Sequence, residues 1–224
     1  VGFDIEMANH LAGDLGVTLE LVRIEYADIS RLFDTGQIDI VMSGLGLTPT
    51  RARKWGYGTS PMDLTLGVLV PDHQRKRFAD ASALRSTAGL KLGLVQDDPA
   101  FERRIENFLP LAGIERIASP REYLRGNRED LDGVIYSAEG GSAWTLIYPN
   151  YSIVVPQGRQ ARVPLGYPLP RQDREWTNFV STWVELEKKN GSVDMLFSHW
   201  IRGGGAESKA PRWSIIRDVL HWVE

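Results

Sequence analysis

Apolar positions along the first forty residues switch between two periods. Ile5, Ala8, Leu11, Ala12 and Leu15 recur at helical spacing, which predicts a helix capped by Asp4 and stopped at Gly16. Val17, Leu19 and Leu21 then alternate with polar residues, the signature of a strand. Asp28 is placed to cap a short helix bearing Ile29, Leu32 and Phe33 and ending at Gly36, and residues 38–42 read as a buried strand. Helix and strand alternating at these intervals predict βα units and a parallel sheet.

After a polar stretch at 72–77 the pattern restarts, with strands predicted at 91–95, 132–136 and 151–155. Between them lie helices begun by Asp98-Pro99, with Phe101, Ile105, Phe108 and Leu109 on one face, and by Ser119-Pro120, then a helix over 143–147. Residues 158–170 are rich in Gly and Pro and read as a crossing. Two more helices follow, marked by Trp176, Phe179, Val180 and Trp183, then by Val193, Leu196, Phe197 and Trp200, with Asn190-Gly191 between them. Beyond Gly203-Gly204-Gly205, Trp213, Ile216, Leu220 and Val223 form one helical stripe, expected to pack on the chain's own body.

Composition narrows the function. A chain of 224 residues has room for one large domain or two small lobes. Its net charge of −3 lacks the basic excess of a nucleic-acid binder, so no nucleic-acid partner is expected. No apolar run approaches the roughly 18–20 residues of a membrane-spanning helix. Cysteine is absent, which removes disulfides, thiol catalysis and Cys-based zinc sites. His10, His73, His199 and His221 are scattered without metal-ligand spacing. Gly44-Leu45-Gly46 lacks the third glycine of a dinucleotide fingerprint, and Gly140-Gly141-Ser142 is no nucleophile elbow. No metal, cofactor or catalytic motif is expected.

The segment that stands out is Ser43-Gly44-Leu45-Gly46-Leu47-Thr48-Pro49-Thr50-Arg51, directly after the predicted strand at 38–42. Ligands of open α/β sheets bind beyond the carboxyl ends of strands. Two glycines would let a ligand approach the backbone, Thr48 can cap the following turn, and Arg51 offers a planar fork for a carboxylate. The alternative is a plain loop with a solvated arginine.

Gly2-Phe3-Asp4-Ile5, Gly36-Gln37-Ile38-Asp39 and Ser43-Gly44-x-x-x-Thr48-Pro49-x-Arg51 resemble the family 3 extracellular solute-binding proteins, the polar-amino-acid receptors of ABC importers. Asp132-Gly133-Val134-Ile135, Lys188-Lys189-Asn190-Gly191, Leu196-Phe197 and Trp200 continue the resemblance in order. It implies an α/β fold of type II periplasmic-binding architecture, with two lobes, each a mostly parallel sheet flanked by helices, joined by two crossings. The expected division is 1–70 plus 160–224 for lobe 1 and 71–159 for lobe 2. It further implies a periplasmic or extracytoplasmic location, a small amino-acid or related carboxylate ligand, and a membrane permease as partner.

Carried over by position, Arg51 would hold the ligand's α-carboxylate and Tyr26 would stack on its side chain. Ser43, Gly44, Gly46 and Thr48 would complete the cradle, with Gly46 standing where many relatives carry a hydroxyl. From the second lobe the turn Gln96-Asp97-Asp98-Pro99 replaces the usual Gly-Thr-rich turn, and Ser137 stands where the family's amine-binding Asp would be. Glu139 or Asp97 could substitute for that acid. Arg51 facing either acid would make the cleft dipolar and suited to a zwitterion.

Relatives have a strand before the position of Gly2, so the opening at Val1, without an initiator Met or signal peptide, predicts a trimmed piece or a reduced cleft. Residues 211–222 resemble the ends of binding domains fused to transporters of the dicarboxylate-symporter kind. The resemblance also reaches cyclohexadienyl dehydratases, lyases that eliminate water and carbon dioxide, in which Glu139 would serve as general acid. A ligand-sensing receptor domain would share the same chemistry.

Overall fold

The computed structural model describes residues 2–95, 99–158 and 162–202. The chain begins with α1 (Phe3–Leu15), whose N-cap is Gly2, not Asp4. Asp4 sits one residue inside the helix, and its carboxylate turns to accept the Tyr167 hydroxyl at 2.9 Å. Phe3, Met7 and Leu11 are the face that packs inward. A 3-10 turn (Tyr26–Asp28) leads into α2 (Ile29–Asp34), and Thr48 caps α3 (Pro49–Lys54) by accepting the Arg51 N–H at 3.3 Å.

Neither strand predicted before residue 50 is paired in a ladder. Val17 and Leu21 are 58% and 64% exposed, and no described strand lies beside them. Residues 38–42 bury Ile38 and Val41, yet they meet the returning chain without a ladder: Val41 N–H donates to the Pro168 carbonyl at 3.0 Å and the Asp39 carbonyl accepts the Trp176 indole N–H at 2.9 Å. An alternating pattern makes a face, but a strand also needs a neighbour to take its N–H and C=O groups.

The short β1 (Gly56–Tyr57) pairs antiparallel with β8 (Pro168–Leu169). The longest strand is β2 (Asp63–Pro71), which sequence reasoning missed although Leu64, Leu66, Val68, Leu69 and Val70 mark it. Its first part, Asp63 to Thr65, pairs with β7 (Arg162–Pro164), and from Leu66 onward it joins β5 (Gly133–Ser137) and β6 (Tyr151–Val154). A 3-10 segment (Asp72–Phe78) and α4 (Ala81–Ser86), capped by Asp80, then lead to β3 (Lys91–Leu94). β3 runs parallel to both β5 and β4 (Gly113–Arg116). The sheet order is β4-β3-β5-β2-β6, with β2 antiparallel to its neighbours, so the sheet is mixed and not mostly parallel.

Its helices are α5 (Pro99–Phe108), α6 (Pro120–Leu124) and α7 (Ala138–Ile147). Helix α7 begins earlier than its apolar residues predict because the Ser137 hydroxyl accepts the Gly140 N–H at 3.1 Å. Asp173 caps α8 (Arg174–Lys189), and α9 (Ser192–Trp200) packs against α8 and α1. Two core clusters draw on residues 3–64 and 165–196. Two others draw on 68–163. No described helix is long and apolar enough to cross a membrane. The predicted stripe from Trp213 to Val223 lies outside the described residues, as do Gln96, Asp97 and Asp98.

Candidate functional site

A cleft of about 640 Å³ opens where these two sets of elements meet, within the range of small-molecule sites. One wall is the loop 43–48 with Tyr26 and Arg51; the other carries Val95, Phe101, Arg116, Tyr136 and Ser137. Leu64 and Leu66 of β2 line it between them, since residues two apart on a strand share a face.

The loop is fastened to the returning chain from both sides. Leu47 N–H donates to the Pro164 carbonyl at 2.6 Å and Gly166 N–H to the Leu45 carbonyl at 2.7 Å. Gly46 carries no side chain for a spatial reason, because a Cβ there would stand 2.9 Å from a Val163 methyl. Val163 occupies the room a side chain at this position would need. Gly44 adopts a left-handed backbone, and its N–H donates to the Asp4 carboxylate. Ser43 remains exposed on the cleft wall.

Arg51 is 3% exposed and lines the cleft. Its Nη1 donates to the Gly46 carbonyl at 2.8 Å and its Nε to the Tyr26 hydroxyl at 3.3 Å. The guanidinium also lies over the Tyr26 ring, 5.0 Å from the centroid, and that ring meets Trp55 edge-on. Tyr26 therefore positions the arginine as well as lining the cleft, a role that position alone did not suggest. A guanidinium held at Nε and Nη1 keeps its orientation, as planar recognition of a carboxylate requires.

The opposite wall departs from expectation. Ser137 lines the cleft, but its hydroxyl is engaged in capping α7. Glu139 does not line it: both carboxylate oxygens accept the Thr65 N–H, at 3.0 and 3.1 Å. Arg116, which sequence reasoning missed, lines the cleft and donates to Glu102 through Nε at 2.9 Å and through Nη2. Its position at the end of β3's parallel partner was the available signal, because strand ends of such sheets face ligands. Among the described residues the cleft-lining carboxylate is Glu25, adjacent to Tyr26.

Asp4 lies behind the loop 43–48, against Gly44 and Tyr167. Burial pushes its carboxyl above the ordinary aspartate value, while the Tyr167 hydroxyl and Gly44 N–H pull it back down. The folded protein therefore holds this proton more tightly than the unfolded chain. The resulting stability is fully present below the unfolded value and declines as pH rises through the raised folded one. Denaturation of the wild type and Asp4→Asn across the acidic range is expected to show this slope in the wild type alone.

Known proteins resemble this chain over most of its length. The family profile for bacterial extracellular solute-binding proteins, family 3, matches residues 1–203. The arginine-binding extracellular protein ArtP of Bacillus subtilis is 23% identical over 91% of this chain and 78% of its own length. A cyclohexadienyl dehydratase of Pseudomonas aeruginosa is 22% identical over 89% of this chain and 74% of its own. Among solved structures, an ancestral amino acid-binding protein, described as a precursor of cyclohexadienyl dehydratase, superposes with a TM-score of 0.71. That protein is 27% identical, over 90% of this chain and 86% of the other. With a buried arginine held over a cleft at the end of a fastened loop, and a match across nearly its whole length, this chain belongs to the bacterial extracellular solute-binding proteins of family 3.

Proposed function

We propose that the chain captures a free amino acid outside the cytoplasm and delivers it to a membrane permease, without chemical conversion. The observation that carries this reading is Arg51, nearly fully buried yet lining the cleft. Its fixed fork suits an α-carboxylate, and Ser43 with the loop backbone supplies the surrounding polar groups. Of the described residues, we assign 2–70 with 162–202 to one body of the trap and 71–95 with 99–158 to the other. The separate core clusters support two bodies, although Val68, Leu69, Val70 and Val163 pack with the second body. Closure would follow bending at the two crossings.

For the ligand's ammonium the reading relies on Glu25, or on Asp97, which lies outside the described residues. Glu139 is committed to a backbone N–H and supports no such contact here. The same commitment weighs against a lyase of the cyclohexadienyl dehydratase kind, which would need that carboxyl in the cleft.

Thermal shift against the amino acids, L-arginine first, and small dicarboxylates tests the reading. A ligand at 100 times its Kd stabilises the folded state by about 2.7 kcal/mol. One amino acid is expected to raise Tm clearly; a response to dicarboxylates alone would overturn the zwitterion assignment.

A further inference from the structure

Glu139 is a charged side chain only 9% exposed that the cleft does not use. It projects from the first turn of α7, two residues beyond Ser137, and grips Thr65 in β2 with both oxygens. Thr65 is where β2 changes partners, since Asp63 to Thr65 pair with β7 while Leu66 onward pairs with β5 and then β6. The residues on either side of Thr65, Leu64 and Leu66, both line the cleft. So do Tyr136 and Ser137, just before α7. The carboxylate thus ties two parts of the cleft wall together from behind, at the point where the chain crosses between bodies.

We infer that Glu139 is a positioning residue that fixes the bend of the crossing strand and thereby sets ligand affinity without touching the ligand. This rests on the binding-protein reading above. The physical reason is that the half-buried Thr65 N–H sits at a partner switch where its own strand supplies no acceptor, and a carboxylate accepts it more strongly than a neutral group. With the carboxylate in place, the crossing is ordered before the ligand arrives, and less ordering is charged against binding. Without it, Thr65 loses its acceptor and the crossing samples a wider range of angles.

The absence of native cysteine allows clean double labelling at Thr182→Cys and Asn127→Cys, exposed positions in α8 and after α6. Interlabel distances in the ligand-free protein report the crossing angle directly. Glu139→Ala is expected to broaden that distribution and to raise the Kd for L-arginine about tenfold, the scale of coupling carried by residues outside a site. Glu139→Gln, which keeps an acceptor and the shape, is expected to recover most of both. If Glu139→Ala lowers Tm but leaves the distance distribution unchanged, the residue is merely structural and the inference is wrong. If the wild type binds no amino acid, the proposed function fails, and the ligand-free distances alone still decide the role of Glu139.

Discussion

Replacing Arg51 with Ala is expected to weaken amino-acid binding by about two to three orders of magnitude, which is the largest effect open to a single cleft substitution. The side chain is buried, so the ligand's carboxylate would be left desolvated and without its charged partner. Breaking such a pair costs about 3–5 kcal/mol, and each 1.4 kcal/mol is roughly tenfold in affinity. Arg51→Lys separates charge from geometry. A lysine keeps the positive charge but cannot bridge the Gly46 carbonyl and the Tyr26 hydroxyl while presenting two parallel donors. It is expected to recover only part of the loss. Calorimetric titration of both variants with the amino acid found by thermal shift checks this, and an Ala variant that still binds within a few fold of wild type would remove Arg51 from the site.

The second large effect is on stability and lies at Phe78. Its side chain is 0% exposed and packs with Val70, Leu84, Leu90 and Leu92, in the cluster that also holds Phe101 of the cleft wall. Phe78→Ala would leave a cavity beneath that wall, at a cost of about 3–5 kcal/mol. In a chain of this size that corresponds to a fall in Tm of roughly 10 °C. Ligand affinity is expected to fall as well, because Phe101 and Leu94 border the cavity's cluster and line the cleft. Thermal denaturation with and without ligand checks both parts. A variant within about 2 °C of wild type would mean that the cluster collapses to fill the space.

Phe78 also illustrates what a sequence conceals. It ends a run, Asp72-His73-Gln74-Arg75-Lys76-Arg77, that reads only as a polar break between two patterned regions. The run folds as a 3-10 segment whose sole buried residue anchors it in the core. One apolar residue has no period, so the anchor becomes visible only when its neighbours are assembled around it.

The helices were legible because helix formation is local. Spacing and stop residues within one segment located α1, α2, α6, α8 and α9. Ser119 and Thr48 cap as expected, whereas Gly2 stands at the N-cap in place of Asp4 and the Asp28 side chain caps no N–H of α2. The loop 43–51 was legible too, since its glycines, threonine and arginine act through side-chain chemistry and backbone access at one short stretch. Strands were less so. Residues 17–21 and 38–42 have strand-like patterns but lack ladders, because hydrogen-bonded partners are supplied by distant chain. The antiparallel course of β2 against β5 was likewise invisible, because alternating helices and strands predict parallel pairing and β2 enters from a crossing.

By itself, then, the sequence determined most of the helical framework and the family, which follow from residue types at short range or in fixed order. It marked Arg51 as a candidate whose burial at the cleft only the fold decided. The tertiary structure alone decided where the carboxylates point. Asp4 turned from helix cap to partner of Tyr167 and Gly44, and Glu139 turned from the ligand to Thr65. A carboxylate goes to the N–H or O–H donors that burial would otherwise leave unsatisfied, and which donors those are depends on chain segments that only folding brings together.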